Sequence, residues 1–299
     1  MSKSDGSDMS DKSDVSAANN KGAVTAPRLR RALAYIVLIT GGLLMLVPFL
    51  WMLSRSVELP SEVASPGLGL IPKHFRLANY ADALKLMKYP QLYLYNTLKV
   101  TALTVVGGLF SSSLVAFAFA RLRAPGRDLL FILVISTIML PAQVTMIPMF
   151  MIFRGLGWYD TLLPLIVPAF FGSAFSIFLI RQFFLTIPKD LEEAARIDGC
   201  STFRIYWQIF LPLSKPVLAT VAFFSFTAHW NDFMTPLIYL NSIEKRTLAL
   251  ALATFQDVWG VDIVSLMAAS TLVLLPVLLM FFIGQRYIVQ GNVMSGSKG

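Results

Sequence analysis

Six apolar runs of 20 or more residues limit what this 299-residue chain can fold into. They are 32–54, 100–120, 129–153, 161–180, 216–240 and 263–285. Five carry no charged residue, and 216–240 carries only Asp232, with His229 nearby. About 18 consecutive apolar residues already suffice to cross some 30 Å of hydrocarbon. In hydrocarbon every backbone N–H and C=O must be satisfied within the segment, so such runs become helices. The chain therefore reads as an all-α integral membrane protein with six transmembrane helices. Pro141, Pro148, Pro164, Pro168, Pro236 and Pro276 fall inside the runs and predict kinks.

Composition removes the competing classes. Only 14% of the residues are charged and 56% are apolar. A soluble domain carries about 25% and 45–50%. The net charge of +8 fits basic loops at a membrane surface and not a nucleic-acid binder. A single cysteine, Cys200, excludes an intrachain disulfide framework and a CxxC motif.

Along the chain, residues 1–28 are rich in Ser, Asp, Lys and Asn and are expected to be a disordered cytoplasmic N-terminus. The run 32–54 exceeds the 7–15 apolar residues of a signal peptide and is expected to be a retained first span. An external loop at 55–95 follows, with a short helix near 79–87. Residues 96–285 form a five-helix core with a polar loop at 182–215, and 286–299 a flexible tail. With the N-terminus inside, 16 of the 25 Lys and Arg lie in inside segments. Arg121, Arg123 and Arg127, in the short loop 121–128, give the clearest vote. Both termini are thus expected in the cytoplasm.

No soluble catalytic signature is present: HExxH and GxSxG are missing. The glycines and Lys298 of the tail do not make a phosphate loop, because the lysine does not follow the second glycine. ATP binding by this chain is not expected.

The informative segment is 182–215. Pro188 favours a helix start, and Asp190, Glu192 and Glu193 lie near the first turn, where the helix dipole favours anions. Gly199 suits a left-handed stop. Ser201 or Thr202 can cap a second helix, expected to end before Pro212. Four basic and four acidic residues cancel over the loop. The residues alone allow a membrane-surface hairpin with no partner as well as one that docks on something.

Glu193, Ala194, Ala195, Gly199, Ile209, Leu211 and Pro212 stand at the spacing of the EAA motif. The chain resembles the carbohydrate branch of the ABC importer permeases, and in particular the maltose-type second permease subunit. Further similar stretches are 48–56, Leu77 to Tyr80, Asn96 to Leu98, Ala118 to Leu122, Trp230 to Leu237 and Gln285 to Gly291. The resemblance covers roughly residues 30–299. It implies a type I importer permease fold in a bacterial inner membrane and a second homologous permease as partner. It also implies two copies of an ATPase subunit, which carry ATP and Mg, and an external substrate-binding protein. The substrate would be a carbohydrate or a related polyol or glycoside, moved by alternating access. The polar loop would be a coupling helix carrying Glu192, Glu193, Ala194, Ala195, Arg196, Asp198, Gly199 and Pro212. The resemblance also brings the tail near the ATPase; a solvated tail is the alternative.

A charge at the centre of a span costs roughly 2.5–3.5 kcal/mol on insertion scales, so Asp232 should face a cavity or a partner. His229, Asp232 and Phe233, at i, i+3 and i+4, can share a helical face. With Asn231 they are substrate-path candidates, since sugars need hydrogen-bonding groups and aromatic platforms. Packing against the partner permease is the other reading, and His229 could equally serve an interhelical hydrogen bond. The small residues Gly107, Gly108, Ser111, Ser112, Ser113, Ala116 and Ala118 read as helix packing. A stand-alone secondary transporter or channel using His229 and Asp232 is the alternative function.

Overall fold

The computed structural model describes residues 25–63, 71–257 and 260–296. The described residues are helical almost throughout. Helix α1 (Thr25–Ser56) leads into two short helices, α2 (Pro60–Val63) and α3 (Ala78–Leu86). Helix α4 (Pro90–Arg121) forms the axis of the bundle. Then come α5 (Arg127–Ser136), prolonged by a 3-10 turn to Met139, and α6 (Ala142–Gly155). Helix α7 (Leu163–Ile166) and a 3-10 segment (Val167–Phe171) precede α8 (Ala174–Thr186). The polar hairpin is α9 (Lys189–Ile197) and α10 (Thr202–Leu213). Helices α11 (Lys215–Trp230), α12 (Met234–Tyr239), α13 (Leu248–Leu252) and α14 (Ile263–Gly296) complete the chain. One two-residue antiparallel ladder pairs Gln256–Asp257 with Gly260–Val261 just before α14.

Among the described residues, four helical stretches are long and apolar enough to span: Arg30–Ser56, Pro90–Arg121, Leu163–Thr186 and Ile263–Gln285. Two bent pairs bring the number to six if each is one span. Arg127–Met139 and Ala142–Gly155 meet at 100°, and Thr202–Leu213 and Lys215–Trp230 at 78°. The 100° bend falls at Leu140 and Pro141, where a residue before proline leaves the helical region; Leu140 sits at ψ 115.

Helix α4 packs on α8, α11 and the 3-10 segment after α7, while α14 packs on α1, α3 and α11. In lipid the hydrophobic effect does not drive helices together, so close packing and interhelical hydrogen bonds carry the assembly. Gly107 shows this: a Cβ there would stand 2.6 Å from the Phe170 ring. Ser113 Oγ and Tyr206 Oη are 2.8 Å apart, and Trp230 Nε1 donates to the Val273 carbonyl at 3.0 Å. Phe117, Phe184, Tyr206 and Phe210 interlock in the buried cluster beneath the polar hairpin. Helix α1 is exposed on every face from Arg30 to Leu50 and becomes buried only in its last turns.

Several expected boundaries move. Thr25 to Arg28 belong to α1 and not to a disordered N-terminus, and residues 1–24 lie outside the described residues. Residues 286–296 continue α14 as helix instead of forming a flexible tail, carrying Gly291 at the ~1 kcal/mol that glycine costs a helix interior. Residues 297–299 of that tail lie outside the described residues. The run 216–240 is not one helix: α11 ends at Trp230, and Asn231 Nδ2 turns back onto the Thr227 carbonyl at 2.9 Å. The second hairpin helix does not stop before Pro212. A π segment at Tyr206–Phe210 widens the turn, and the helix passes through Pro212, stopping at Leu213.

Candidate functional site

Two regions gather the polar chemistry: the hairpin at one end of the bundle and a cleft within it. The hairpin is built locally. Pro188 precedes α9, and Asp190 and Glu192 occupy its first turn. Gly199, at φ +77, closes α9. The Cys200 amide donates to the Ala195 carbonyl at 2.9 Å and the Gly199 amide to that of Arg196 at 3.1 Å. This is the Schellman arrangement that a left-handed glycine permits. Ser201 then caps α10, its Oγ accepting from the Arg204 amide at 3.3 Å.

The site residues divide between two faces. Ala195 is buried in its own chain's core. Glu193, Ala194, Arg196 and Asp198 point away from it and are exposed, as are Gly199 and Pro212. Glu192 is mostly buried and accepts from Arg196 Nη2 at 2.9 Å, one turn on. The exposed face also carries Leu191 and, at 86% exposure, Ile197. Phe203 and Trp207 stack on each other at 6.3 Å beside it, both more than half exposed. These four apolar side chains are left open to the surroundings on an otherwise polar loop.

Arg121 fastens the hairpin to the bundle. At the last turn of α4, its side chain is only 4% exposed. Its Nη2 donates to the carbonyls of Phe184 and Ile187 at the end of α8. Its Nη1 lies 3.9 Å from Glu192 Oε2 on α9, and its guanidinium stands 4.8 Å over the Phe210 ring on α10. One cation thus joins four helices. The sequence supplied it only as a vote for orientation; the signal available was an arginine directly ending a span.

The cleft, about 380 Å³ of open space, is lined by Thr104 of α4, Ser173 and Ser176 around the start of α8, Ser225 and His229 of α11, and Asp232 and Thr235 beyond it. His229 Nδ1 lies 2.7 Å from the Ser225 carbonyl and donates to it, so Nε2 is left to accept. Asp232 Oδ1 accepts from the Thr235 amide at 3.1 Å. The structure therefore brings His229 and Asp232 together but not on a shared helical face, because the helix ends between them. Asn231 and Phe233 are exposed and do not line the cleft. Sequence reasoning missed Ser173, Ser176, Ser225 and Thr235, single hydroxyls spread over distant segments. No group of three or more His, Cys, Asp or Glu is placed to hold a metal among the described residues.

At the opposite end of the bundle, Asp160 draws the α6–α7 turn onto residues 241–245. Its Oδ1 accepts from the amides of Asn241 at 2.9 Å and Ser242 at 2.8 Å, and Lys245 Nζ is 2.9 Å from Oδ2. Burial alone would raise the carboxyl pKa, but hydrogen bonds from Ser242, Lys245 and Asn241 outweigh it and hold it well below the usual carboxylate range.

Residues 108–292 match the family described as "Binding-protein-dependent transport system inner membrane component". The arabinooligosaccharides transport system permease protein AraQ of Bacillus subtilis is 33% identical over 86% of this chain and 92% of its own. The trehalose/maltose transport system permease protein MalG of Thermococcus litoralis is 35% identical over 88% and 97%. Among solved structures, a chain of a bacterial ABC transporter involved in import of the acidic polysaccharide alginate superposes with a TM-score of 0.76. It is 26% identical and covers 88% of this chain and 97% of its own.

Proposed function

Because the chain belongs to the family of binding-protein-dependent transport inner-membrane components, and so is a membrane permease subunit of an ABC importer, we propose that it moves a carbohydrate or a related polyol or glycoside inward by alternating access. The permeases named for arabinooligosaccharides and for trehalose and maltose support the sugar class. ATP hydrolysis falls to a partner ATPase present in two copies. A second, homologous permease completes the pathway, and an external binding protein delivers the substrate. The hairpin end and both termini lie in the cytoplasm, as the basic residues Arg121, Arg123 and Arg127 favour.

The observation that carries this reading is the hairpin: a rigid, glycine-stopped pair of helices with an exposed apolar face on one side and Arg121 on the other. The exposed side, with Glu193, Ala194 and Ile197, docks on the ATPase. Arg121 and the buried Ala195 pass its displacement to α4, α8 and α10, a rigid-body transmission. The cleft at His229 and Asp232 offers hydroxyls, a carboxylate and an imidazole to a polyhydroxylated substrate. A stand-alone transporter working through His229 and Asp232 leaves the exposed apolar face of the hairpin without a role.

Mass spectrometry of the complex purified through a tag on this chain tests the reading. Two ATPase copies and one related permease are the expected companions. A chain recovered alone or as a homo-oligomer, from cells expressing its native neighbours, would contradict it.

A further inference from the structure

A second groove lies on the hairpin side of the bundle, between the 122–126 turn and α9. It encloses about 530 Å³ and is lined by Arg121, Arg123, Arg127, Lys189 and Arg196 against Glu192 and Glu193. Five cations thus face two carboxylates. Most are already engaged: Arg121 and Arg196 share Glu192, and Arg127 pairs with Asp128 at 2.8 Å. Arg123 and Lys189 have no ion-pair or hydrogen-bond partner among the described residues. Arg121 Nε is buried and without a hydrogen-bond partner.

The position of the groove indicates what could fill it. The apolar run of α4 ends at Ala120 and the next begins at Leu129, so the turn sits where the chain leaves and re-enters hydrocarbon. Gly126, at φ +76, reverses the chain there, and α5 starts at once. Its first turns expose Leu129, Leu130, Ile132 and Leu133. The cationic groove reaches the first residue of α5, Arg127, and the apolar side chains exposed on that helix begin two residues further on. An acidic protein segment would use the cations and leave that face empty. A molecule with an anionic head and hydrocarbon chains uses both.

We propose that this groove is a binding site for an anionic phospholipid, its phosphodiester held by Arg123 and Lys189 and its acyl chains lying along α5. The groove borders the ATPase-docking side of the hairpin at Glu193, but its unpaired cations, Arg123 and Lys189, are not among the residues assigned to that side, so the two readings can fail separately. A lipid held there would bridge the 122–126 turn and the start of the hairpin.

The test is native mass spectrometry of the purified complex equilibrated with phosphatidylglycerol and phosphatidylcholine of identical chains. Phosphatidylglycerol should stay bound in preference. Arg123→Gln and Lys189→Gln should each lower its retention about fivefold, the worth of one cation near a lipid surface, while phosphatidylcholine is unaffected. Arg123 lies on an exposed turn, and Arg123→Lys should keep the lipid. Equal retention of the two lipids, or Gln variants that hold phosphatidylglycerol as before, would overturn the proposal. Gln variants that shed the ATPase and keep the lipid would assign the groove to an acidic segment of that subunit instead. Failure of the ATPase to co-purify with the unaltered chain would count against the transport reading and leave the lipid measurement readable.

Discussion

The two ends of the bundle are each fastened by one charge, and the charges are opposite in sign. At the hairpin end Arg121, a cation, collects the carbonyls that end α8. At the far end Asp160, an anion, collects the amides of Asn241 and Ser242. Each satisfies backbone groups that helix ends and turns leave open. They differ in what they join. Arg121 ties a protruding hairpin with an exposed apolar face to two other helices, α4 and α8, as a transmission would need. Asp160 joins two loops, the α6–α7 turn and residues 241–245. They also differ in response to pH, since a guanidinium stays charged at every accessible pH whereas a carboxylate does not.

The largest effect should come from Arg121. Arg121→Ala removes the more distant of Glu192's two cations, Arg196 remaining at 2.9 Å, and frees the Phe184 and Ile187 carbonyls; losing two hydrogen bonds from a charged donor costs about 3–6 kcal/mol. In reconstituted vesicles, transport per ATP hydrolysed should fall at least tenfold. Arg121→Lys, a point charge without the planar fork, should recover only part. Coupling equal to wild type in Arg121→Ala would remove the transmission from that end.

Gly199→Val comes next. A β-branched residue at φ +77 is strained by about 1–3 kcal/mol, although open space surrounds the site. The Schellman closure should loosen, with slower ATP-driven transport and faster hydrogen exchange at the Cys200 amide. Unchanged transport and exchange together would contradict the rigid-hairpin account.

Asp160 should give the smallest effect on transport, and an effect on stability that depends on pH. Its carboxyl is held below its unfolded value, so its contribution is fully present above about pH 4 and lost as the pH falls through the depressed folded value. Asp160→Asn should cost about 1.5–3 kcal/mol near pH 7, the range for charge-assisted hydrogen bonds. The gap between variant and wild type in thermal unfolding should close at acid pH. The Arg121 variants, whose loss rests mainly on hydrogen bonds to two backbone carbonyls, should keep most of their gap. A gap that stayed constant at acid pH would break the comparison.

What the sequence disclosed follows from how far apart the contacts are. The apolar runs and the hairpin are local, decided by composition and by single residues such as Pro188, Gly199 and Ser201. Arg121 contacts residues 63 and 66 positions away, and Asp160 reaches residues 81 to 85 away. No periodicity reports such pairings. The cleft collects hydroxyls from α4, α8 and α11 and was invisible for the same reason. The end of α11 was readable but outvoted. Asn231 and Asp232 bond readily to nearby backbone and favour turns, yet the apolar run around them suggested one continuous helix. The passage of α10 through Pro212 depends on a π turn that no residue type announces.

The docking face of the hairpin can be tested most directly by a crosslink. In a Cys200→Ser background, Ala194→Cys places a thiol on the exposed side of α9, and Asn241→Cys places one at the opposite end. With a short thiol-to-amine crosslinker on the intact complex, the ATPase subunit should be captured from position 194 and not from position 241. Capture from neither position, or from 241 alone, would contradict the claim that the hairpin is where the ATPase takes hold.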